Sequence, residues 1–156
     1  GRALREAVTQ EAARLDQEVG TGVGRIAVIS PSPRRTESLL REDPGLAAAM
    51  EAPGGDVLRS RLLVVSPVLS KGLEFDVVVL VDPADIGERS AGDLYVAMTR
   101  PTRRLRVVSR LPLPGGLEAR PGRPVSAIAH DHRQHRPGRL RHRRLRLLLT
   151  SRRRAV

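Results

Sequence analysis

The chain has 156 residues, 28 of them Lys or Arg and 17 Asp or Glu, for a net charge of +11, and this length suits one domain with a modest core. Cysteine is absent, which excludes disulfides and thiolate metal sites and fits a reducing, cytoplasmic setting; the longest apolar run, VVVLV at 77–81, is far shorter than the roughly 20 residues of a membrane span. The charge is uneven: residues 1–119 hold 16 basic and 16 acidic side chains, and residues 120–156 hold 12 arginines and one aspartate, so the body is neutral and the tail carries the excess.

In chain order, residues 3–19 read as an amphipathic helix, with Leu4, Val8, Ala12, Leu15 and Val19 at helical spacing. Its charges leave no apolar stretch for a signal peptide, and the initial Gly1 suggests a piece of a longer chain. Glycines at 20, 22 and 24 end this leading segment, residues 1–22. RIAVIS, 25–30, suits a buried strand. Ser32 with Pro33, and Asp43 with Pro44, are two helix starts with a capping residue and a proline in the first turn. PGGD, 53–56, is a turn. RLLVVS, 61–66, and VVVLVD, 77–82, are two more strands, joined by ten residues that allow either a short parallel crossover or a hairpin. SAGD, 90–93, has capping-box spacing and opens a helix that Pro101 stops. LRVVS, 105–109, is a fourth strand. Alternating helices and doubly buried strands predict an α/β domain over 23–111 with a mostly parallel sheet, and function is expected beyond the carboxyl ends of its strands. Residues 112–156, Pro/Gly-rich and then Arg/His-rich, are expected to be a disordered basic tail.

Two segments carry chemical character. SKGLEFD, 70–76, holds the only lysine, Lys71, and DLYVAMTR spans 93–100; each contains one of the two aromatics, Phe75 and Tyr95. Gly72 lets backbone N–H groups approach a phosphate or sugar, Glu74 has the chemistry to bond a ribose hydroxyl, and Arg100 beside Thr99 offers a planar fork to a phosphate. The plainer readings stand beside these: a solvated turn with Leu73 and Phe75 as core plugs, and an arginine that complements a helix C-terminus.

SKGLEFDVVVLVDP followed by DLYVAMTR resembles the fifth and sixth signature motifs of superfamily 1 helicases of the UvrD type. The proline before KGLEFD and the VDP end of the strand are most similar to the HelD branch, motor ATPases associated with RNA polymerase. The resemblance implies the second RecA-like domain of such a motor, facing ATP and Mg²⁺ bound mainly by a first RecA-like domain of the same or a neighbouring chain. It implies that Arg100 is the catalytic arginine at the γ-phosphate, that Glu74 approaches the ribose, that Lys71, Gly72 and Thr99 shape the ATP-facing wall, and that Tyr95 packs within its helix. In the intact family, DNA, RNA or RNA polymerase is the partner. Ser66 and Val68 occupy the family's Thr and His positions, which leaves the Ser66 hydroxyl as the nucleic-acid contact, and Pro101 replaces an alanine. No phosphate loop exists, because Lys71 follows Leu69 and Ser70 in place of a glycine-rich cradle. ATP hydrolysis by this chain alone is therefore not expected.

Other signals are weaker. GTGVG, 20–24, precedes a strand and is a helix stop, not a dinucleotide fingerprint. His130, His132, His135 and His142 lack the frame of a metal site. The Arg-rich tail suits electrostatic nucleic-acid binding or a non-native extension read out of frame from a GC-rich gene. The rival readings are a basic nucleic-acid-binding protein that acts through its tail, and a truncated product without function.

Overall fold

The computed structural model describes residues 1–56, 59–115 and 117, and the backbone of 146–151. The strands are β1 (Ile26–Ile29), β2 (Leu62–Val65), β3 (Phe75–Val81), β4 (Pro101–Ser109) and β5 (Arg146–Ser151), in one sheet of order β2-β1-β3-β4-β5. Every pairing is parallel. The 67–76 connection is therefore a crossover, and β1 lies between the two strands it joins. The chain steps from β1 to β2 in one direction along the sheet and from β2 to β3 and β4 in the other, and right-handed crossovers then place the connections on opposite faces. Helices α1 (Arg2–Val19), α2 (Pro33–Arg41) and α3 (Pro44–Met50) bury Leu4, Val8, Leu15, Leu40, Leu46 and Met50 on one face, against Ile26, Val28, Val77 and Val79. On the other face, α4 (Pro83–Arg89) and α5 (Ala91–Met98) set Ile86 and Ala97 against Ala27, Ile29, Val78 and Leu80. Strands covered on both faces account for runs without polar alternation, such as IAVI and VVVLV.

The expected boundaries hold for α1, for β1 and β2, and for the prolines that open α2 and α3. Asp43 caps α3 by accepting from Gly45 N (2.9 Å) and Leu46 N (3.1 Å), whereas Ser32 makes no side-chain cap bond. The hydroxyl of Ser30 takes the Ser32 N–H instead, at 3.1 Å. Helix α4 was not expected from the sequence; it starts at Pro83, directly after Asp82 in the left-handed region at φ 46. Asp82 is buried and is gripped by Arg110, whose N, Nε and Nη2 donate to it at 2.9, 3.0 and 2.8 Å. Those hydrogen bonds hold the Arg110 guanidinium above its ordinary pKa.

Only part of the tail expected over 112–156 lies within the described residues. Leu113 packs against the α5-side core, Leu117 is buried, and Arg146–Ser151 adds a strand to β4 with Arg104 opposite Arg146 and Ser109 opposite Ser151. An aliphatic run beside an open strand edge satisfies the backbone groups of both. The histidines at 130, 132, 135 and 142, and most of the tail arginines, lie outside the described residues. Among the described residues no helix is long and apolar enough to cross a membrane.

Helix α1 is fastened by charge as well as by apolar packing. Arg104, 4% exposed, donates through Nε to Glu11 at 2.9 Å and through Nη1 to Glu18 at 2.6 Å. Arg106 reaches Glu11 at 3.4 Å and Gln10 at 2.9 Å. Burial works against the charge of Arg104, but its bonds to Glu18 and Glu11 outweigh burial and hold its pKa above the ordinary value. The same Arg104 bond holds the Glu18 carboxyl below its ordinary 4.5. Removing one partner of a buried pair strands the other, so Glu11→Ala is expected to cost about 3–5 kcal/mol in urea denaturation, far more than Glu6→Ala at the exposed Arg2 pair. Because the folded pKa of Glu18 is depressed, its contribution is complete above the unfolded value and is lost as pH falls through the lowered folded one. Glu18→Gln should flatten that part of the acid limb in a stability profile taken from pH 7 down to pH 2.

Candidate functional site

The parallel pairing of β3 with β4 sets Phe75 opposite Pro101. Whatever precedes one strand therefore lies beside whatever precedes the other. The register then shifts, since Val77 pairs with Arg104 and not with Arg103. Within this bulge Arg103 turns its Nε onto Asp76 at 2.9 Å, and Asp76 also accepts from Arg25 N at 2.9 Å, which ties the amino ends of β1, β3 and β4 together. Gly24 makes room for this: its φ is +84, and a Cβ there would meet Leu15 Cδ2 at 2.9 Å and Asp76 Oδ2 at 3.2 Å. Phe75, 2% exposed, plugs the α5-side core with the Arg25 guanidinium 5.2 Å from its ring centroid.

The connection from β2 starts as a compact turn. Ser70 N donates to Ser66 O (3.1 Å), Ser70 Oγ to Pro67 O (2.6 Å), and Leu69 N to Ser66 Oγ (3.3 Å). Lys71 N then donates to Val68 O (3.3 Å) and Leu73 N to Ser70 O (3.2 Å). The fully buried Ser70 anchors this turn, while Val68 and Leu69 project from it, 54% and 68% exposed. Gly72 reverses the chain at φ +78, with nothing within 4 Å of a Cβ built on it, and Glu74 leads into β3.

Helix α5 closes over this connection at both ends. At its start Ser90 Oγ accepts from Asp93 N at 3.1 Å, as the capping spacing predicts, but the reciprocal carboxylate goes elsewhere: Asp93 pairs with Lys71 Nζ at 3.0 Å. At its end Arg100 folds back, donating Nε to Val96 O (3.1 Å), Nη1 to Leu73 O (3.3 Å) and Nη2 to Thr99 Oγ1 (3.3 Å). The backbone joins in, with Phe75 N donating to Arg100 O at 3.1 Å. Arg100 is thus oriented by three acceptors, and one N–H on each terminal nitrogen is left without a partner among the described residues. Glu74 is exposed and has no hydrogen bond or ion pair among them.

The structure therefore brings together Lys71, Gly72, Glu74, Thr99 and Arg100 as one surface. The hydroxyl of Thr99 is taken up in positioning Arg100, since it also donates to Val96 O at 2.9 Å. Ser66 stands apart from Arg100, at the carboxyl end of β2, and its hydroxyl serves the turn. Glu74, Thr99 and Arg100 gather at the amino ends of β3 and β4, contrary to the general expectation for such sheets. The reason is topological: in each case the chemistry-bearing segment is the approach to a strand, not the exit from one. Tyr95, expected to pack, is 63% exposed, because the buried side of α5 is taken by Ala97 with Leu94 and Met98. Sequence reading missed the roles of Asp93, Asp76 and Arg103. Asp76 and Asp93 are the end residues of the two segments and Arg103 lies three residues beyond the second, and charge was their only signal.

No model of a known protein family matches the chain, and no curated protein does. Among solved structures, the C-terminal domain of a possible DNA helicase from Lactobacillus plantarum WCFS1 is similar, with 24% identity, a TM-score of 0.53, and coverage of 70% of this chain and 68% of that one. The two share a fold, a doubly wound α/β sheet. Within this surface Gly72→Ala is expected to cost about 1–2 kcal/mol, the penalty of a side chain in the left-handed region, without steric clash. Urea denaturation measures it, and Gly72→Asn should lose less, because Asn tolerates that conformation.

Proposed function

We propose that this chain forms the second RecA-like domain of an ATP-driven motor of the UvrD/HelD type and supplies one wall of its ATP site. The observation that carries the reading is the double attachment of α5 to the 70–76 connection, which fixes Arg100 by three hydrogen bonds and leaves two of its N–H groups for a ligand. The shared fold with a C-terminal domain described as part of a possible DNA helicase supports it. The residues present fit one side of a nucleotide. Lys71 and Arg100 are cations, Gly72 leaves open space above the loop, and Glu74 is an uncommitted acceptor for a ribose hydroxyl.

The site needs a phosphate-loop domain, on the same polypeptide or a neighbouring one, to hold Mg²⁺ and the phosphates. When bound, ATP supplies the phosphoanhydride whose cleavage drives the motor. Arg100 then places its planar fork against the oxygens on which negative charge grows, and a pre-oriented donor costs no reorganisation at that moment. Thr99 and the Leu73 carbonyl hold the fork in place. In the intact protein, the coupled task would be movement on DNA or RNA, or remodelling of RNA polymerase, with Ser66 as the contact to nucleic acid.

The purified 156-residue chain is expected to show no ATP turnover, with or without single-stranded DNA or RNA, and nucleic-acid-stimulated turnover by it alone would overturn the assignment. In complex with its phosphate-loop domain, Arg100→Ala should lower kcat by about 10³ to 10⁵ with little effect on KM. An unchanged kcat would remove Arg100 from the reaction.

A further inference from the structure

The Lys71–Asp93 pair is the weaker of the two attachments of α5 to the connection. Asp93 is not needed to cap α5, because Ser90 does that. Its carboxylate is 23% exposed and Lys71 is 53% exposed, so the pair is open to solvent and to competing ions, and pairs of this kind add little to stability. Yet it occupies the only lysine of the chain, on the surface described above. Asp93 stands in the first turn of α5 and Arg100 two residues past its last residue, and the neighbouring positions 71 and 73 of the connection meet the one and the other: Lys71 pairs with Asp93, and the Leu73 carbonyl accepts from Arg100. Lys71 and Arg100 thus mark the two ends of a short cationic track. Between them runs the Gly72 turn, with nothing within 4 Å of its Cβ position.

We infer that Asp93 is a built-in competitor for the anionic ligand of this surface: its carboxylate holds Lys71 at rest, and a di- or triphosphate must displace it to engage Lys71 and Arg100 together. The inference rests on the nucleotide-facing reading and adds regulation to it. Lys71 has three N–H donors, and the exchange replaces one carboxylate by phosphate oxygens of higher charge, which a cation favours. The freed Asp93 stays in the first turn of α5, where the helix dipole stabilises its charge in water. An empty site therefore carries no unpaired lysine, and ligand affinity is set below what the two cations alone would give.

The test is calorimetric titration of the full 156-residue chain with inorganic pyrophosphate at low ionic strength, for the native chain, Asp93→Asn, Lys71→Met and the double variant. Circular dichroism melts check that each is folded. Asp93→Asn should bind pyrophosphate at least threefold more tightly than the native chain, the gain should shrink as salt rises, and Lys71→Met should abolish it in the double variant. No gain from Asp93→Asn, whether both proteins bind equally or neither binds detectably, overturns the inference. So does a gain that survives Lys71→Met, or one seen with oligothymidylate but not with pyrophosphate. An Arg100→Ala arm separates this inference from the reading beneath it. If Asp93→Asn gains affinity and Arg100→Ala loses none, the competitor stands and the placement of Arg100 at the phosphates fails. If Arg100→Ala weakens binding and Asp93→Asn changes nothing, the reverse holds.

Discussion

The candidate site depends on the parallel pairing of β3 with β4 and the Phe75–Pro101 register that begins it. A parallel pair sets the two strand entrances side by side, so segments separated by about twenty residues of chain meet there without any contact of their own to bring them together. The contacts then follow. Arg100 reaches the Leu73 carbonyl, Lys71 reaches Asp93, and the Phe75 amide bonds the carbonyl of Arg100. None of these is strong alone. An exposed ion pair is worth about 0–1 kcal/mol and a neutral hydrogen bond about 0.5–1.5 kcal/mol, so they hold a geometry that the sheet has already imposed.

The sheet in turn is held in register by devices on one face and at both ends of its strands. On one face the apolar strip of α1 is joined to β4 through Glu11, Glu18, Arg104 and Arg106. A buried arrangement of this sort adds little net stability over an apolar core of the same shape, but it tolerates few alternatives, since a helix shifted by one turn would leave arginines without carboxylates. At the amino ends Asp76 collects β1 and β4. At the opposite ends Asp82, held in the left-handed region, does the same for β3 and the exit from β4 through Arg110. Two aspartates, one at each end of the same strand, thus clamp the neighbouring strands with charge-assisted bonds.

A surface made of strand entrances suits the proposed role of a wall facing a partner domain. Glu74 is exposed without a partner among the described residues, and the fork of Arg100 is only part filled. In the function proposed above, the wall is completed by a second surface that supplies the phosphates. Under the two proposals above, the preorganised arginine and the competing Asp93 act in opposite senses, one lowering the cost of reaction and the other raising the threshold for occupancy.

Much of this was legible from residue order. The apolar periods located α1, β1, β2 and β3; prolines after capping residues located α2 and α3; and the paired segments at 70–76 and 93–100 marked the site. These features are local, so each is encoded within a few residues. Other features needed the folded chain. The four-residue β2 and seven-residue β3 could have formed a hairpin, and only their common neighbour β1 made them parallel. The 146–151 segment looked like part of a charged tail until the free edge of β4 provided its backbone partners. Asp93 looked like half of a capping box, yet its carboxylate went to a lysine 22 positions earlier in the chain. The sequence by itself determined which segments form and which residues carry chemistry, because propensity, periodicity and side-chain type act at short range. Only the tertiary structure decided which end of the sheet the site occupies and which charges meet, because pairings between distant segments depend on strand order, and strand order is a property of the whole domain.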